Sequence, residues 1–214
     1  MWCFPCTTKR SPLELFRFLI KYFANQGIFI LQFRVDEDGS LANCLDFCEL
    51  LFQAGITLQT TGGYSSDLNG IVEILNKLVK RTCGAILANS GLASYYWWYG
   101  VVHASALLNY LSYNHDKTMT AYEAWYGSKP HWNNFRVFGC DVYVVKESTS
   151  KNDLEKASRH RFLGYGASTT TVHYLETKTN KIKRARHVYF DDFSSSTPTS
   201  ALSPGAQIKR HEHM

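Results

Sequence analysis

Apolar residues recur along this chain in two rhythms, and the change from one to the other divides it. Leu13, Phe16, Ile20 and Phe23 are spaced as on one side of a helix, with Ser11-Pro12 as its start and Gly27 as its stop. Ile28 to Val35 is a run rich in Ile, Leu and Phe, which predicts a buried strand, and Asp36-Glu37-Asp38-Gly39 breaks it. A second helix is predicted from about Asn43 to Gln53, with Leu45, Cys48, Leu51 and Phe52 inward. A short strand follows at Ile56–Gln59, and Thr60 to Leu68 is a polar, Gly-rich loop. Helical spacing resumes at Asn69, with Ile71, Leu75, Leu78 and Val79 inward, and breaks near Asn89-Ser90-Gly91. An aromatic-rich helix then covers about Ser94 to Tyr113. Met1 to Cys6 reads as a short strand. This order predicts an α/β sheet covered by helices.

After Pro130 the period shortens to that of strands. Phe135–Phe138, Val142–Val145, Arg161–Tyr165, Thr171–Leu175 and Ala185–Phe190 are short β-rich runs separated by turn residues. They predict a small barrel or sandwich. The tail from Ser194 is rich in Ser, Thr and Pro and is expected to be disordered. No apolar run reaches the length needed to cross a membrane.

Charge sharpens this division. The net charge of +5 says little alone, but Lys151 to His187 holds nine Lys/Arg against three Asp/Glu. The basic surplus therefore sits in the β-rich segment, where it suits a phosphate backbone. The six cysteines are scattered, mostly in apolar runs, and no signal peptide is evident, so reduced thiols and an intracellular setting are expected. Cys3-Phe-Pro-Cys6 has CxxC spacing, but no second ligand pair lies at a suitable distance. Buried cysteines are the better reading there. Tyr95–Tyr99, five aromatics in a row, fit a helix–sheet packing surface with some rings left exposed.

Two carboxylates stand out. Asp36 follows a predicted buried strand, and Glu73 lies in the first turns of a predicted helix. Such a pair suits Mg²⁺, which takes few carboxylates together with waters and phosphate oxygens. The same residues also suit an acidic turn and a Glu that favours a helix start and pairs with Lys77 at i,i+4. Residue chemistry alone leaves both readings open.

The ordered motifs narrow the choice. Thr57-Leu-Gln-Thr-Thr-Gly-Gly-Tyr-Ser-Ser-Asp-Leu-Asn-Gly-Ile-Val-Glu73 resembles the strand, loop and Asn-Gly-x-Val-Glu helix start of copia-type retrotransposon integrases. Arg34-Val-Asp36-Glu-Asp-Gly is similar to the segment holding that family's second catalytic Asp. Ser90-Gly-Leu, Trp97-Trp98, Thr120-Ala-Tyr-Glu-Ala-Trp-Tyr-Gly-Ser-Lys-Pro130 and Phe135-Arg-Val-Phe-Gly-Cys140 follow in the family's order. So do Arg161-Phe-Leu-Gly-Tyr165 and Arg186-His-Val-Tyr-Phe-Asp191.

The resemblance implies a ribonuclease-H-like catalytic core over residues 1–128, an SH3-like β-module over 129–193 and a tail over 194–214. It also implies Mg²⁺- or Mn²⁺-dependent DNA strand transfer on three carboxylates. Asp36 would be the second and Glu73 the third, both as metal ligands. The first would lie on a strand before Met1, so the core as it stands lacks its first strand and its first carboxylate. Between Asp36 and Glu73 lie 36 residues, one more than the family's interval. Between Asp38 and Glu73 lie 34, one fewer, which makes Asp38 the substitute for Asp36. Ile74 stands where the family has a basic residue.

DNA is the expected partner. The polar side of the Asn69 helix offers Asn69, Asn76, Lys77 and Lys80, and a basic hairpin offers Lys181, Lys183, Arg184 and Arg186. The first group equally suits a solvated helix face, and the second an ordinary soluble turn. A homo-oligomer and, for a functional protein, a nuclear setting go with the resemblance. The expected function is that of an integrase-like DNA-binding protein that has lost catalysis. The alternatives are a non-enzymatic binding or assembly module and a transposon relic.

Overall fold

Two parallel strands bridged by a helix open the fold, as the alternation of apolar runs predicts. The computed structural model describes residues 1–4, 12–36, 41–61, 66–111, 118–132, 135–145, 156–166 and 171–191, with the backbone alone at 36, 61 and 66–69. Phe4–Leu78 forms one compact unit, and Met1–Cys3 with Val79–Met214 forms another.

In the first unit, helix α1 (Leu13–Asn25) precedes strand β1 (Gln32–Asp36), helix α2 (Leu45–Gln53) and strand β2 (Thr57–Thr61). β1 and β2 pair in parallel, with Gln32 opposite Thr57 and Asp36 opposite Thr61. A parallel pair needs a crossover, and α2 supplies it. Val35, Phe47, Leu51 and Ile56 form the buried core, against which Phe16, Ile20 and Phe33 pack. Phe16, Phe33 and Phe47 meet ring to ring at centroid distances of 4.8–5.5 Å. Leu51 is buried as expected, whereas Leu45 and Phe52 are exposed on α2. The predicted strand over Ile28–Val35 is shorter than expected. Phe29 and Leu31 lie outside it and are each 73% exposed. Ile30 packs on the core from outside the strand, and within it Phe33 and Val35 face the core, since alternate strand residues point to opposite faces. Ser11, the expected helix cap, lies outside the described residues.

Helix α3 (Ser66–Ser90) begins three residues earlier than predicted and carries the division between the units. It ends where expected, with Gly91 at φ +66°. Its inward face differs from the sequence reading: Val79 is buried and Leu75 half-buried, but Ile71 and Leu78 are exposed. The hydrophobic spacing was read from one side of a helix whose first half meets little of the described core.

The second unit opens with a 3-10 turn at Ser94–Tyr96, which replaces the start of the predicted aromatic helix, and helix α4 (Trp97–Leu111). Val79 and Cys83 of α3 pack on Ala104 and Leu108 of α4, with Met1 and Cys3 alongside. The helices approach closely at Gly100, where a Cβ would stand 3.0 Å from the Cys83 sulfur. Met1–Phe4 is not a strand. The Met1 ammonium donates to Asn109 Oδ1 at 2.9 Å, and Asn109 Nδ2 donates back to the Met1 carbonyl at 2.7 Å, so these backbone groups are held by α4. Helix α5 (Ala121–Tyr126) is started by a capping box. Glu123 N–H donates to Thr120 Oγ1, the Thr120 N–H donates to Glu123 Oε2, and Gly127 closes the helix at φ +67°.

Strands β3 (Asp141–Val145), β4 (Ala157–Tyr165), β5 (Val172–Leu175), β6 (Ile182–Ala185) and β7 (Val188–Asp191) form one antiparallel sheet in the order β6-β5-β4-β3-β7. β6 and β7 are opposite edges of this sheet, yet only Arg186 and His187 separate them. Laid flat, five strands would put the edges about 19 Å apart. The link from Ala185 to Val188 reaches at most about 11 Å. The sheet must therefore roll until its edges approach. Its inner face agrees: Cys140, Val142, Phe162, Val172 and Tyr174 are buried together, and Ala185, Val188 and Phe190 from the two edges pack on them. A bulge between Phe162 and Gly164 supplies curvature. Phe135–Phe138, read as a strand, is not one. Phe135 packs its ring on His103 and Tyr110, and Gly139 at φ +74° turns the chain where a Cβ would collide with Ser90.

The outer face of the sheet is covered as well. Phe138, Leu163 and Leu175 are buried beneath Ile86, Leu87, Leu92, Tyr96 and Tyr99. Arg161 donates to the carbonyl of Ser90 at 2.6 Å, so a strand residue caps the end of α3. Asp141, 1% exposed, pairs with Arg159 at 2.5 Å.

Candidate functional site

Three groups of residues carry candidate chemistry. The first is the acidic pair. Asp36 is the last residue of β1, opposite the last residue of β2, so its backbone stands at the C-terminal end of a parallel pair. Open α/β sheets place ligands at that end. Asp38 lies outside the described residues. Glu73 is in the third turn of α3, later in the helix than predicted because the helix starts at Ser66. It is exposed. The expected Lys77 pairing does not form, and neither residue has an ion-pair or hydrogen-bond partner among the described residues. Among those residues no three His, Cys, Asp or Glu side chains assemble as a metal site. The described geometry therefore offers one free carboxylate and one backbone position, which do not by themselves define a metal centre.

The second group is the polar side of α3. Glu73, Asn76 and Lys77 share a side by their i, i+3 and i+4 spacing, and all are exposed. Lys80 is exposed too, and Asn69 is described by its backbone alone.

The third group is the basic edge of the rolled sheet. Lys181, Lys183, Arg184 and Arg186 lie on or beside β6, and all are exposed. Lys183 pairs with Glu176 at 2.8 Å, which holds the carboxyl below and the ammonium above its ordinary range. Lys181, Arg184 and Arg186 have no acidic partner among the described residues. The register puts Arg184 opposite His173 on β5, on the outer face beneath α4.

That face holds a feature the motifs did not mark. A cleft of about 810 Å³ lies between α4 and the sheet, lined by Trp98, Tyr99, Tyr110, Phe135, Tyr165 and Phe190. Arg136 and Arg184 also line it, and His103 is buried against it. The Arg136 guanidinium sits 4.9 Å over the Phe190 ring. His103 lies among Phe135, Phe138 and Phe162, and burial pushes its pKa down to about 4. Burial lowers His173 as well, with Arg184 adding to the shift. The run Tyr95–Tyr99 was the only sequence signal for this cleft, and it pointed to packing. Tyr96 and Tyr99 do pack on the sheet, while Tyr95, Trp97 and Trp98 are exposed.

No protein-family model matches the chain. It is 27% identical over 165 residues to the Retrovirus-related Pol polyprotein from transposon RE1 of Arabidopsis thaliana, covering 76% of this chain and 11% of that protein. It is 24% identical over 210 residues to the polyprotein from transposon RE2 of the same plant, covering 94% of this chain and 14% of the relative. For the polyprotein from transposon TNT 1-94 of Nicotiana tabacum the identity is 24% over 197 residues, with 89% and 14% covered. Among solved structures, the chain superposes on one from a simian T-cell lymphotropic virus intasome in complex with PP2A regulatory subunit B56 gamma. The TM-score is 0.43 at 15% identity, over 83% of this chain and 62% of that one. The chain thus spans roughly an eighth of the length of the curated relatives it matches, and its homologues are copia-type Pol polyproteins of transposons.

Proposed function

We propose that this chain is the integrase-like part of such a polyprotein: a ribonuclease-H-like core fragment followed by an SH3-like barrel that binds DNA. The observation that carries the reading is the basic edge of the rolled sheet. Three cations on or beside β6 lack acidic partners among the described residues, so they face solvent with their charge uncompensated. Cations in that state gain by displacing counterions from a phosphate backbone, without reading base sequence. The exposed polar side of α3 offers a second contact of the same kind.

The same reading assigns two acidic residues to metal binding. Strand transfer in the family uses three carboxylates, and the resemblance assigns two positions here, Asp36 and Glu73. Those two would hold Mg²⁺ or Mn²⁺, which supplies charge stabilisation to a phosphodiester exchange when bound.

Fluorescence anisotropy with a duplex DNA, repeated across a salt series, tests the binding half. Affinity should fall steeply as salt rises, and replacing Lys181, Arg184 and Arg186 by Gln should flatten the slope by about 3 logarithmic units per decade. Binding that ignores both salt and these substitutions would remove DNA as the partner. The catalytic half is checked by a Mg²⁺-dependent end-joining assay on the 214-residue polypeptide. Joining that Glu73→Gln abolishes would support Glu73 as a metal ligand, and joining that the substitution leaves unchanged would remove that assignment.

A further inference from the structure

The rolled sheet leaves a pocket of about 810 Å³ between its inner face and the link that joins β6 to β7. That volume lies within the range of ligand sites. The inner face changes character along β4. Ser158, His160 and Phe162 alternate along the strand and so share that face. Phe162 belongs to the buried core, with Val142 and Tyr174. Toward the start of the strand the same row turns polar, and Ser158 and His160 line the pocket. A row that only filled the core would stay apolar.

The His160 ring is 6% exposed and lies stacked on Tyr174. Burial lowers its pKa, which keeps the ring neutral. A neutral imidazole presents one donor and one acceptor. Nε2 lies 2.8 Å from Ser158 Oγ, while Nδ1 is buried without a partner. A buried N–H left unpaired is rarer than a buried acceptor left unpaired. Nδ1 therefore carries the lone pair, and Nε2–H donates to Ser158 Oγ. Ser158 has no other side-chain partner among the described residues, so its own proton is left for a group in the pocket. Two guanidiniums join it. Arg184 and Arg186 line the pocket, and neither has an acidic partner among the described residues. Among those residues the carboxylate that lines it is that of Glu176, already engaged by Lys183 at 2.8 Å and by Thr179.

The pocket thus offers donors and positive charge. A cation finds no free carboxylate there among the described residues. An apolar ligand leaves the hydroxyl and both guanidiniums without partners. A phosphate suits all three, since guanidiniums bind it through paired N–H groups and a further oxygen accepts from a hydroxyl. We propose that this pocket is an oxyanion site for a terminal phosphate, held by Arg184, Arg186 and the Ser158 hydroxyl. Charge and access both favour a terminal phosphate over a backbone one. At neutral pH a monoester carries close to two negative charges, which match two cations, where a backbone diester carries one. Ser158 sits on the inner face, so a duplex lying along β6 does not bring its backbone to it, whereas a chain end can enter. For that source, a phosphorylated end of DNA, the inference rests on the DNA-binding reading above. The pocket itself needs only the phosphate, which a free phosphate also supplies.

The test uses the full chain and three probes: a duplex with 5′-hydroxyl ends, the same duplex with 5′-phosphates, and inorganic phosphate. Anisotropy reads the duplexes. The melting temperature, against chloride at equal ionic strength, reads the phosphate. A hydrogen bond to a charged group changes affinity by about tenfold or more. The phosphorylated duplex should therefore bind at least about tenfold more tightly than the hydroxyl one. Ser158→Ala should remove most of that preference and leave the hydroxyl duplex bound as before, while Ser158→Thr, which keeps a hydroxyl, should retain it. Two surface variants serve if Ser158→Ala fails to fold. Arg186→Gln should weaken both duplexes and also lower the preference. Lys181→Gln, beside β6 but outside the pocket lining, should weaken both and leave the preference as it is. A rise in melting temperature with phosphate that Arg186→Gln removes, with no preference between duplexes, would keep the pocket and assign it to free phosphate compounds. Equal binding of the two duplexes with no response to phosphate would overturn the proposal and leave the basic edge untouched. Failure of both duplexes while phosphate still raises the melting temperature would remove the basic edge as a DNA contact and keep the pocket.

Discussion

His103 shows how one buried side chain ties the packing of the second unit to pH. Its ring sits within 4.7 Å of Phe135 and 5.5 Å of Phe138, centroid to centroid. Burial holds its pKa at about 4, against 6.5 for an exposed histidine. The unfolded chain therefore takes up a proton first as pH falls, and protonation favours unfolding. The full contribution of the neutral ring is present above pH 6.5 and is lost between pH 6.5 and pH 4. The loss is on the order of 3 kcal/mol. His160 and His173, also lowered by burial, act in the same direction. Urea unfolding across that interval should show the fall, and His103→Phe should flatten it. A variant that unfolds with the same pH slope as the parent would show that the slope comes from other groups.

At the scale of elements, the stretch Thr120–Pro130 separates structural from chemical meaning. It is among the most recognisable parts of the family pattern, yet its Thr and Glu serve a helix start. The Thr120 backbone N–H donates to Glu123 at 2.6 Å, which holds that carboxyl below its ordinary range. Thr120→Ala should cost about 1 kcal/mol of stability, read as a lowered melting temperature, and leave DNA affinity unchanged. A melting temperature equal to that of the parent would mean that α5 needs no cap. Elements of this kind were legible because caps, glycines and periodicity are local. The β1–α2–β2 order, the break at Gly91 and three of the five β-rich runs could be read from neighbours in sequence, whereas Ala185–Phe190 is divided at Arg186-His187 between β6 and β7. Phe135–Phe138 could not, since its rings are claimed by α4, more than twenty residues earlier. The same limit applies to the site. Lys181, Arg184 and Arg186 could be found as a charge run, but the cleft depends on bringing Trp98, His103, Tyr165 and Arg184 together across the unit, and no short segment carries it.

The surface of the whole molecule joins these points. Leu45 and Phe52 are 84% and 85% exposed on α2, seven positions apart and so on one side of that helix. Their neighbours Phe47, Leu50 and Leu51 fill the core on the other side. Phe29, Leu31, Ile71 and Ile74 add further exposed apolar surface within Phe4–Leu78. Single exposed apolar residues are ordinary, but several large ones in one small unit favour association. The net charge of +5 opposes it only weakly in salt, where repulsion is screened within about 8 Å. The isolated 214-residue polypeptide should therefore self-associate as its concentration rises and bind a hydrophobic dye in its folded state. Light scattering at several concentrations measures the first, and dye fluorescence below the melting transition the second. Leu45→Lys with Phe52→Lys should reduce both without lowering stability, because neither side chain contributes to the buried core. A chain that stays monomeric and silent to the dye would show that these faces are covered in solution. The assembly role would then lose its physical basis, while DNA binding by the basic edge would stand on its own evidence.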